Sequence, residues 1–256
     1  MSIQKSKAEI ELMKKSSDIL VNALIRIQEA VKPGVTTLDL DKIAENYIRK
    51  CGAIPSFLGY KAPFRGAVDY PGSICASVNN EVVHGIPGLR ALKDGDIISV
   101  DIGVYFNGFH SDAARTFPVG TVTAEAQHLI DVTKQSFYEG IKNAVVGKRI
   151  RDISAAIQDY VECNGYSVVR DYVGHGIGTE MHEEPQIPNY SFKGANPRIV
   201  PGMALAIEPM VNAGDYNVKL LENKWTVVTL DNSLSAHYEN TIIVTEGEPM
   251  IITETP

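Results

Sequence analysis

The stretch Ile97-Ile98-Ser99-Val100-Asp101-Ile102-Gly103-Val104-Tyr105-Phe106-Asn107-Gly108-Phe109-His110-Ser111-Asp112 decides the fold. Ile97 to Val100 is a short apolar strand running into Asp101. Asn107-Gly108 between two phenylalanines is a two-residue hairpin signal, because these residues accept the positive φ that such a turn requires. If Phe106 pairs with Phe109, counting back sets Gly103 opposite Asp112 and Asp101 opposite Ala114. Paired residues share a face, as do residues two apart along a strand, so Asp101 and Asp112 become diagonal neighbours on one face of a rigid hairpin. A slip of one residue would separate them. The pair suits two carboxylates gripping one cation; alone, it reads equally as two solvated aspartates on an exposed face.

On either side of this hairpin the chain repeats itself. A helix is expected from about Lys7 to Val31, where Met13, Leu20, Leu24, Ile27 and Val31 follow a three-and-four spacing before Lys32-Pro33-Gly34 stops it. A second, about Leu38 to Lys50, follows the Thr36 and Thr37 caps, carries Asp39 in its first turn and ends at Gly52. Sliding the sequence by 113 residues lays Gly34, Asp39, Leu40, Tyr47, Ile48 and Gly52 onto Gly147, Asp152, Ile153, Tyr160, Val161 and Gly165. The long helix of this second copy is expected over about Thr123 to Ala144. So long a period excludes a solenoid. It implies two similar α+β halves, about 1–120 and 121–256, related by a pseudo-twofold and sharing one sheet. No proline-rich or glycine/serine-rich linker divides them, so residues 1–256 read as a single domain.

Further chemistry-bearing residues lie beyond the hairpin. Gly174-His175-Gly176-Ile177-Gly178 spaces glycines at every second position, which lets the backbone approach other groups closely and lacks the spacing of a phosphate loop. His182 is seven residues on, so a turn must intervene if both histidines serve one site. Glu208 follows the apolar run Met203 to Ile207, and Glu239 precedes the strand-like Thr241-Ile242-Ile243-Val244. His84 follows Val82-Val83 and precedes a glycine turn. His110, His128 and His237 have no comparable setting. Singly, each histidine reads more often as structural and each glutamate equally as one of an ion pair. Together, Asp101, Asp112, Glu208 and Glu239 would repel strongly in one fold unless two divalent cations balance them, with His175 as a further ligand.

Composition excludes several classes. The chain has 256 residues, 44% hydrophobic and 21% charged, enough for a sizeable core. A formal net charge of -7 without a basic stripe argues against direct nucleic-acid binding. Cys51, Cys75 and Cys163 are odd in number and far apart, which fits a reducing compartment and excludes a disulfide framework. Without an apolar leader or an apolar run of membrane-spanning length, the expected location is cytoplasmic, with no membrane partner.

Taken in order, Ser73 to Asn79, Val82 to Pro87, Ser99 to Gly103, Gly174 to Gly178, Ala206 to Pro209 and Ser235 to Thr241 closely resemble the type I methionine aminopeptidases. The resemblance spans nearly the whole chain. It implies the α+β pita-bread (creatinase/aminopeptidase) fold, an internal duplication with a central curved antiparallel sheet and outer helices, in agreement with the repeat. It further implies that Asp101 chelates one metal, Asp112 and Glu239 bridge two, and His175 and Glu208 complete the second. The ions would be divalent manganese, iron, cobalt or zinc. The activity implied is removal of the initiator methionine from nascent proteins with a small second residue, which brings transient proximity to the ribosome. By the same resemblance His182 faces the substrate carbonyl, His84 faces the scissile amide nitrogen, and Phe57, Tyr60, Tyr70, Cys75, Met181 and Trp225 form the methionine pocket.

The chain departs from the compact family pattern at Lys61 to Asp69, an apparent insertion that bears on Tyr60 and Tyr70. The 25 residues between His182 and Glu208 leave no room for the helical insertion of type II relatives. The short run before the first helix leaves none for an amino-terminal zinc module. Two rivals stay open: a proline-specific peptidase using the same five ligands, and a non-catalytic protein that keeps the fold.

Overall fold

The computed structural model describes residues 3–62 and 68–255. Its first half runs α1 (Lys7–Ala30), α2 (Thr37–Lys50), β1 (Ile54–Pro55), β2 (Ile74–Val78), β3 (Glu81–Val83), β4 (Ile97–Phe106) and β5 (Phe109–Pro118). The second runs α3 (Ala124–Ile141), α4 (Ile150–Cys163), β6 (Ser167–Val168), β7 (Gly174–Gly176), β8 (Glu183–Ile187), β9 (Ala204–Ile207), β10 (Met210–Asn212), β11 (Val218–Leu220), β12 (Val227–Thr229), β13 (Ser235–His237), β14 (Asn240–Ile243) and β15 (Met250–Ile251).

The repeat read from the sequence is a repeat of structure. Asp39 and Asp152 both accept the backbone N–H of their helix's cap residue, from Thr36 at 3.1 Å and Arg149 at 2.8 Å. Each satisfies a donor that the first helical turn leaves unpaired. The turns before these helices need the same left-handed backbone, with φ 92° at Gly34 and 95° at Gly147. The long helices differ from expectation at their ends. α3 stops at Ile141 rather than Ala144, because Asn143 and Ala144 donate to Gly140 and Ile141 three residues back, which tightens the chain out of the α-helix.

Each helix pair covers one side of its own strands. Leu20, Leu24, Leu40 and Ile48 pack against Ile98, Val100 and Ile102, and Leu129, Phe137, Ile153 and Ile157 against Leu205, Ile207 and Ile242. Fully burying each such side chain contributes roughly 1.5–3 kcal/mol. Strand alternation then turns Asp101 and Gly103 of β4, and Ala204 and Ala206 of β9, to the opposite side. The hairpin has the expected register, Phe106 opposite Phe109, Gly103 opposite Asp112 and Asp101 opposite Ala114. This is the pita-bread α+β fold.

The halves meet along one seam. Ala114 and Glu239 exchange both backbone hydrogen bonds, at 3.4 and 3.0 Å. On one side the Thr241 hydroxyl accepts from the Asp112 N–H (3.1 Å) and donates to the Asp112 carbonyl (2.8 Å); on the other, the Thr116 hydroxyl does the same for His237 (both 2.9 Å). The Arg115 guanidinium, buried at the seam, donates to the carbonyls of Ala114, Glu239 and Thr253. Two threonines thus stand in for main-chain partners, one from each half. Replacing Thr241 with valine keeps the shape and orphans a buried donor and acceptor, so unfolding in denaturant should show a loss of about 2 kcal/mol.

Candidate metal centre

Three strands and two inter-strand gaps deliver five ligand-type side chains to one cavity. Asp101 comes from β4 and Asp112 from β5, as diagonal neighbours of the hairpin. Asn240 pairs with Ile207 and His237 with Met210, so the two-residue gaps between those ladders set Glu208 opposite Glu239. His175 on β7 pairs with Ala206, two residues before Glu208 and on the same face. The glycines beside it are required by close approach: a Cβ at Gly174 would lie 2.4 Å from the Ala206 carbonyl oxygen, and one at Gly176 2.3 Å from that of Glu184.

One ligand atom each from Asp112, His175 and Glu239 lie within 4.8 Å of one another. His175 Nε2 is 3.8 Å from Asp112 Oδ2 and 3.6 Å from Glu208 Oε1. Its Nδ1 is 2.8 Å from the Gly176 carbonyl, an acceptor only, so Nδ1 carries the proton and Nε2 turns a lone pair toward the carboxylates. Asp112 and Glu239 are fully buried, while Asp101 and Glu208 keep an edge open to the cavity. Asp101 Oδ1, Asp112 Oδ1 and Glu239 Oε1 are buried without a hydrogen-bond partner. Orphaned anionic oxygens around an available imidazole lone pair are the donor set of a hard or borderline divalent cation.

The sequence matches metallopeptidase family M24 over residues 11–246. The chain belongs to that family. It is 54% identical over 253 residues to the methionine aminopeptidase of Clostridium perfringens, covering 99% of each chain. It superposes on the crystal structure of methionine aminopeptidase from Rickettsia prowazekii with TM-score 0.93, 40% identity and coverage of 98% and 99%. An Xaa-Pro dipeptidase from Bacillus anthracis, at 24% identity, TM-score 0.78 and coverage of 99% of this chain and 62% of that one, shares the fold alone.

Burial governs the charge states of this M24 centre. It raises Asp101 to about 7 and Asp112, Glu208 and Glu239 well above the usual carboxylate range, with mutual repulsion adding to it in the last three. Burial pushes His175 down to about 3, so its imidazole is neutral, the form that binds a metal.

A cavity of about 340 Å³ opens beside the carboxylates, and all five ligand-type residues line it together with His84, His182, Phe57, Tyr60, Tyr70, Cys75 and Trp225. His84 stands in the left-handed region, φ 59°, a strained backbone for a residue with a Cβ. Burial lowers it to about 4. His182 follows the expected turn after β7, its ring 4.3 Å from that of His175, and Glu183 beside it is ion-paired to the buried Lys5. Met181 instead packs with Phe57, Tyr70, Cys75 and Trp225 in an apolar cluster. Lys61 also lines the cavity, and of the apparent insertion, residues 63–67 lie outside the described residues.

Sequence reasoning missed His237. It is 1% exposed, its Nε2 has no hydrogen-bond partner, and that atom lies 3.8 Å from Glu208 Oε2. Its position two residues before Glu239 in a strand-like stretch of sequence was the available signal, since residues two apart in extended chain share a face. His110 and His128 lie elsewhere, beside Ser56 and Tyr166.

The raised carboxylates make metal-free stability pH-dependent. The folded protein holds protons that the unfolded chain has released, so this stabilisation is complete below the unfolded carboxylate range and is lost as pH rises through about 7 and beyond. The histidines shift the opposite way, but above pH about 7 they are largely neutral in both states. The denaturation midpoint of stripped protein should therefore fall between pH 7 and 8.5. Asp112→Asn should flatten that fall and raise the stripped midpoint while cutting metal uptake measured by elemental analysis; an unchanged metal content would remove Asp112 from the centre.

Proposed function

We propose that this chain is a hydrolase that removes the N-terminal methionine of peptides and nascent proteins, favouring a small second residue. The observation that carries this reading is the convergence of the orphaned carboxylates, the imidazoles and an apolar wall on a single cavity. Asp101 would hold one divalent ion, Asp112 and Glu239 would bridge to a second, and His175 and Glu208 would complete it. When bound, two such ions balance the four carboxylates, lower the pKa of a coordinated water and polarise a carbonyl. Manganese, iron, cobalt and zinc all suit mixed carboxylate and imidazole ligands.

The chain's own residues do the rest. Phe57, Tyr70, Cys75 and Trp225 offer a thioether side chain an apolar, aromatic surround. His84 and His182, neutral because burial lowers both, are hydrogen-bonding groups rather than counter-charges. His182 would donate to the scissile carbonyl oxygen as negative charge develops there, and His84 would contact the amide nitrogen that leaves with the shortened peptide. Glu208, with an edge open to the cavity, would accept the proton of the attacking water. Residues 1–256 would act as one catalytic domain of the type I kind. Nascent chains as substrates imply transient ribosome proximity and a cytoplasmic site of action. Among the described residues no helix is long and apolar enough to cross a membrane.

His84→Ala should keep its metal content and lose about 10²–10⁴-fold in kcat, the usual worth of a positioned acid or base. Full turnover in that variant would exclude His84 from the chemistry. Presented with a Met-Ala-Ser and an Ala-Pro peptide, the metal-loaded protein should cleave the first. Exclusive cleavage of the second would make it a proline-specific peptidase, and cleavage of neither a binding protein.

A further inference from the structure

One hydrogen bond in the cavity has no part in the chemistry above. The Tyr60 hydroxyl lies 2.7 Å from His182 Nδ1, and the two rings meet edge to face with centroids 5.5 Å apart at 74°. We propose that Tyr60 is a positioning residue: its phenolic O–H donates to His182 Nδ1 and holds the imidazole as the neutral tautomer whose proton sits on Nε2. This rests on His182 facing the scissile carbonyl.

A neutral imidazole has one donor nitrogen and one acceptor nitrogen, so the bond made by Nδ1 settles what Nε2 offers. The phenol is the stronger acid of the two partners and the imidazole nitrogen the stronger base, which directs the shared proton from oxygen to Nδ1. Nε2 then presents an N–H to the cavity. With the bond reversed, Nε2 would present a lone pair to a carbonyl oxygen gaining negative charge, and the interaction would change from attraction to repulsion.

The main chain that carries the phenol is fixed by its own hydrogen bonds. Tyr60 N–H donates to the Phe57 carbonyl (2.9 Å), Tyr70 N–H to the Tyr60 carbonyl (2.9 Å) and Gly59 N–H to the Tyr70 carbonyl (2.8 Å). Lys61 and Asp69 add an ion pair at 2.6 Å. Phe57 and Tyr70, joined to Tyr60 and Gly59 by these bonds, line the same cavity. Residues bonded to one another through the main chain therefore supply both part of the apolar wall and the group that orients a catalytic imidazole.

Tyr60→Phe keeps the ring and deletes only the hydroxyl. In the zinc-loaded protein, long-range ¹H–¹⁵N spectra should show His182 of the parent protonated at Nε2 with a hydrogen-bonded Nδ1. The variant's Nδ1 resonance should move toward that of a free lone pair. Its kcat on Met-Ala-Ser should fall roughly tenfold, as for a lost interaction of about 1.4 kcal/mol, with KM within about twofold. A parent His182 protonated at Nδ1, or a variant with unchanged resonances and kcat, would overturn the proposal. A raised KM at constant kcat would overturn it too, reducing Tyr60 to pocket wall. His182→Ala separates the two claims: full activity there removes the premise about His182, whereas a slow His182→Ala beside a fast Tyr60→Phe removes only the role of Tyr60.

Discussion

Everything in this molecule is arranged around a concentration of buried negative charge that the protein's own groups do not neutralise. A contrast inside the structure shows how unusual this is. Asp41 is also buried, and its Oδ1 accepts the N–H groups of Ser73 and Ile74 at 2.7 and 3.1 Å. An acid placed for structure is satisfied by main-chain donors in that way. Asp101 Oδ1, Asp112 Oδ1 and Glu239 Oε1 have no hydrogen-bond partner, and the imidazole nearest to Asp112 and Glu208 is turned to offer a lone pair rather than a proton. Without cations the cluster is tolerable only in partly protonated form. Such a site stores destabilisation that ligand binding relieves, as expected of a functional centre and not of a structural one.

That arrangement explains why the two halves must be fused edge to edge. Neither half alone gathers the set: Asp101 and Asp112 come from the first copy, His175, Glu208 and Glu239 from the second. The seam is set by the Ala114–Glu239 backbone pair, flanked by Thr241 bonding Asp112 and Thr116 bonding His237. Asp112 and Glu239, the pair proposed to bridge, thus sit at the join, so the seam fixes where their carboxylates stand. Arg115, buried behind the join, donates to neutral acceptors there: three carbonyls, the Asn240 side chain and the Thr255 hydroxyl. Its charge lies at the seam and leaves the carboxylate oxygens free.

The cavity combines this centre with a wall from a different layer. Tyr70 meets Trp225 edge to face at 5.1 Å, and the Trp225 indole N–H donates to the Val68 carbonyl at 2.8 Å, tying the loop before β2 to the approach to β12. His84 meets Tyr172 at 5.5 Å and Trp225 at 6.3 Å. The apolar wall and the His84 imidazole therefore share neighbours.

Local rules were enough for much of this. The Asn107-Gly108 turn and strict strand alternation specified the hairpin register, and with it the juxtaposition of Asp101 and Asp112, because a two-residue turn leaves no freedom in pairing. Helix starts and the 113-residue duplication were legible because caps and turn glycines are read from neighbours a few positions away. Tertiary structure alone decided the rest. It set Glu208 opposite Glu239 and His175 beside them, put His84 in a left-handed backbone, brought His237 within reach of Glu208 and joined Tyr60 to His182 across 122 positions. These depend on strand pairings between distant segments and on how much water those pairings exclude, and neither is encoded in the spacing of nearby residues.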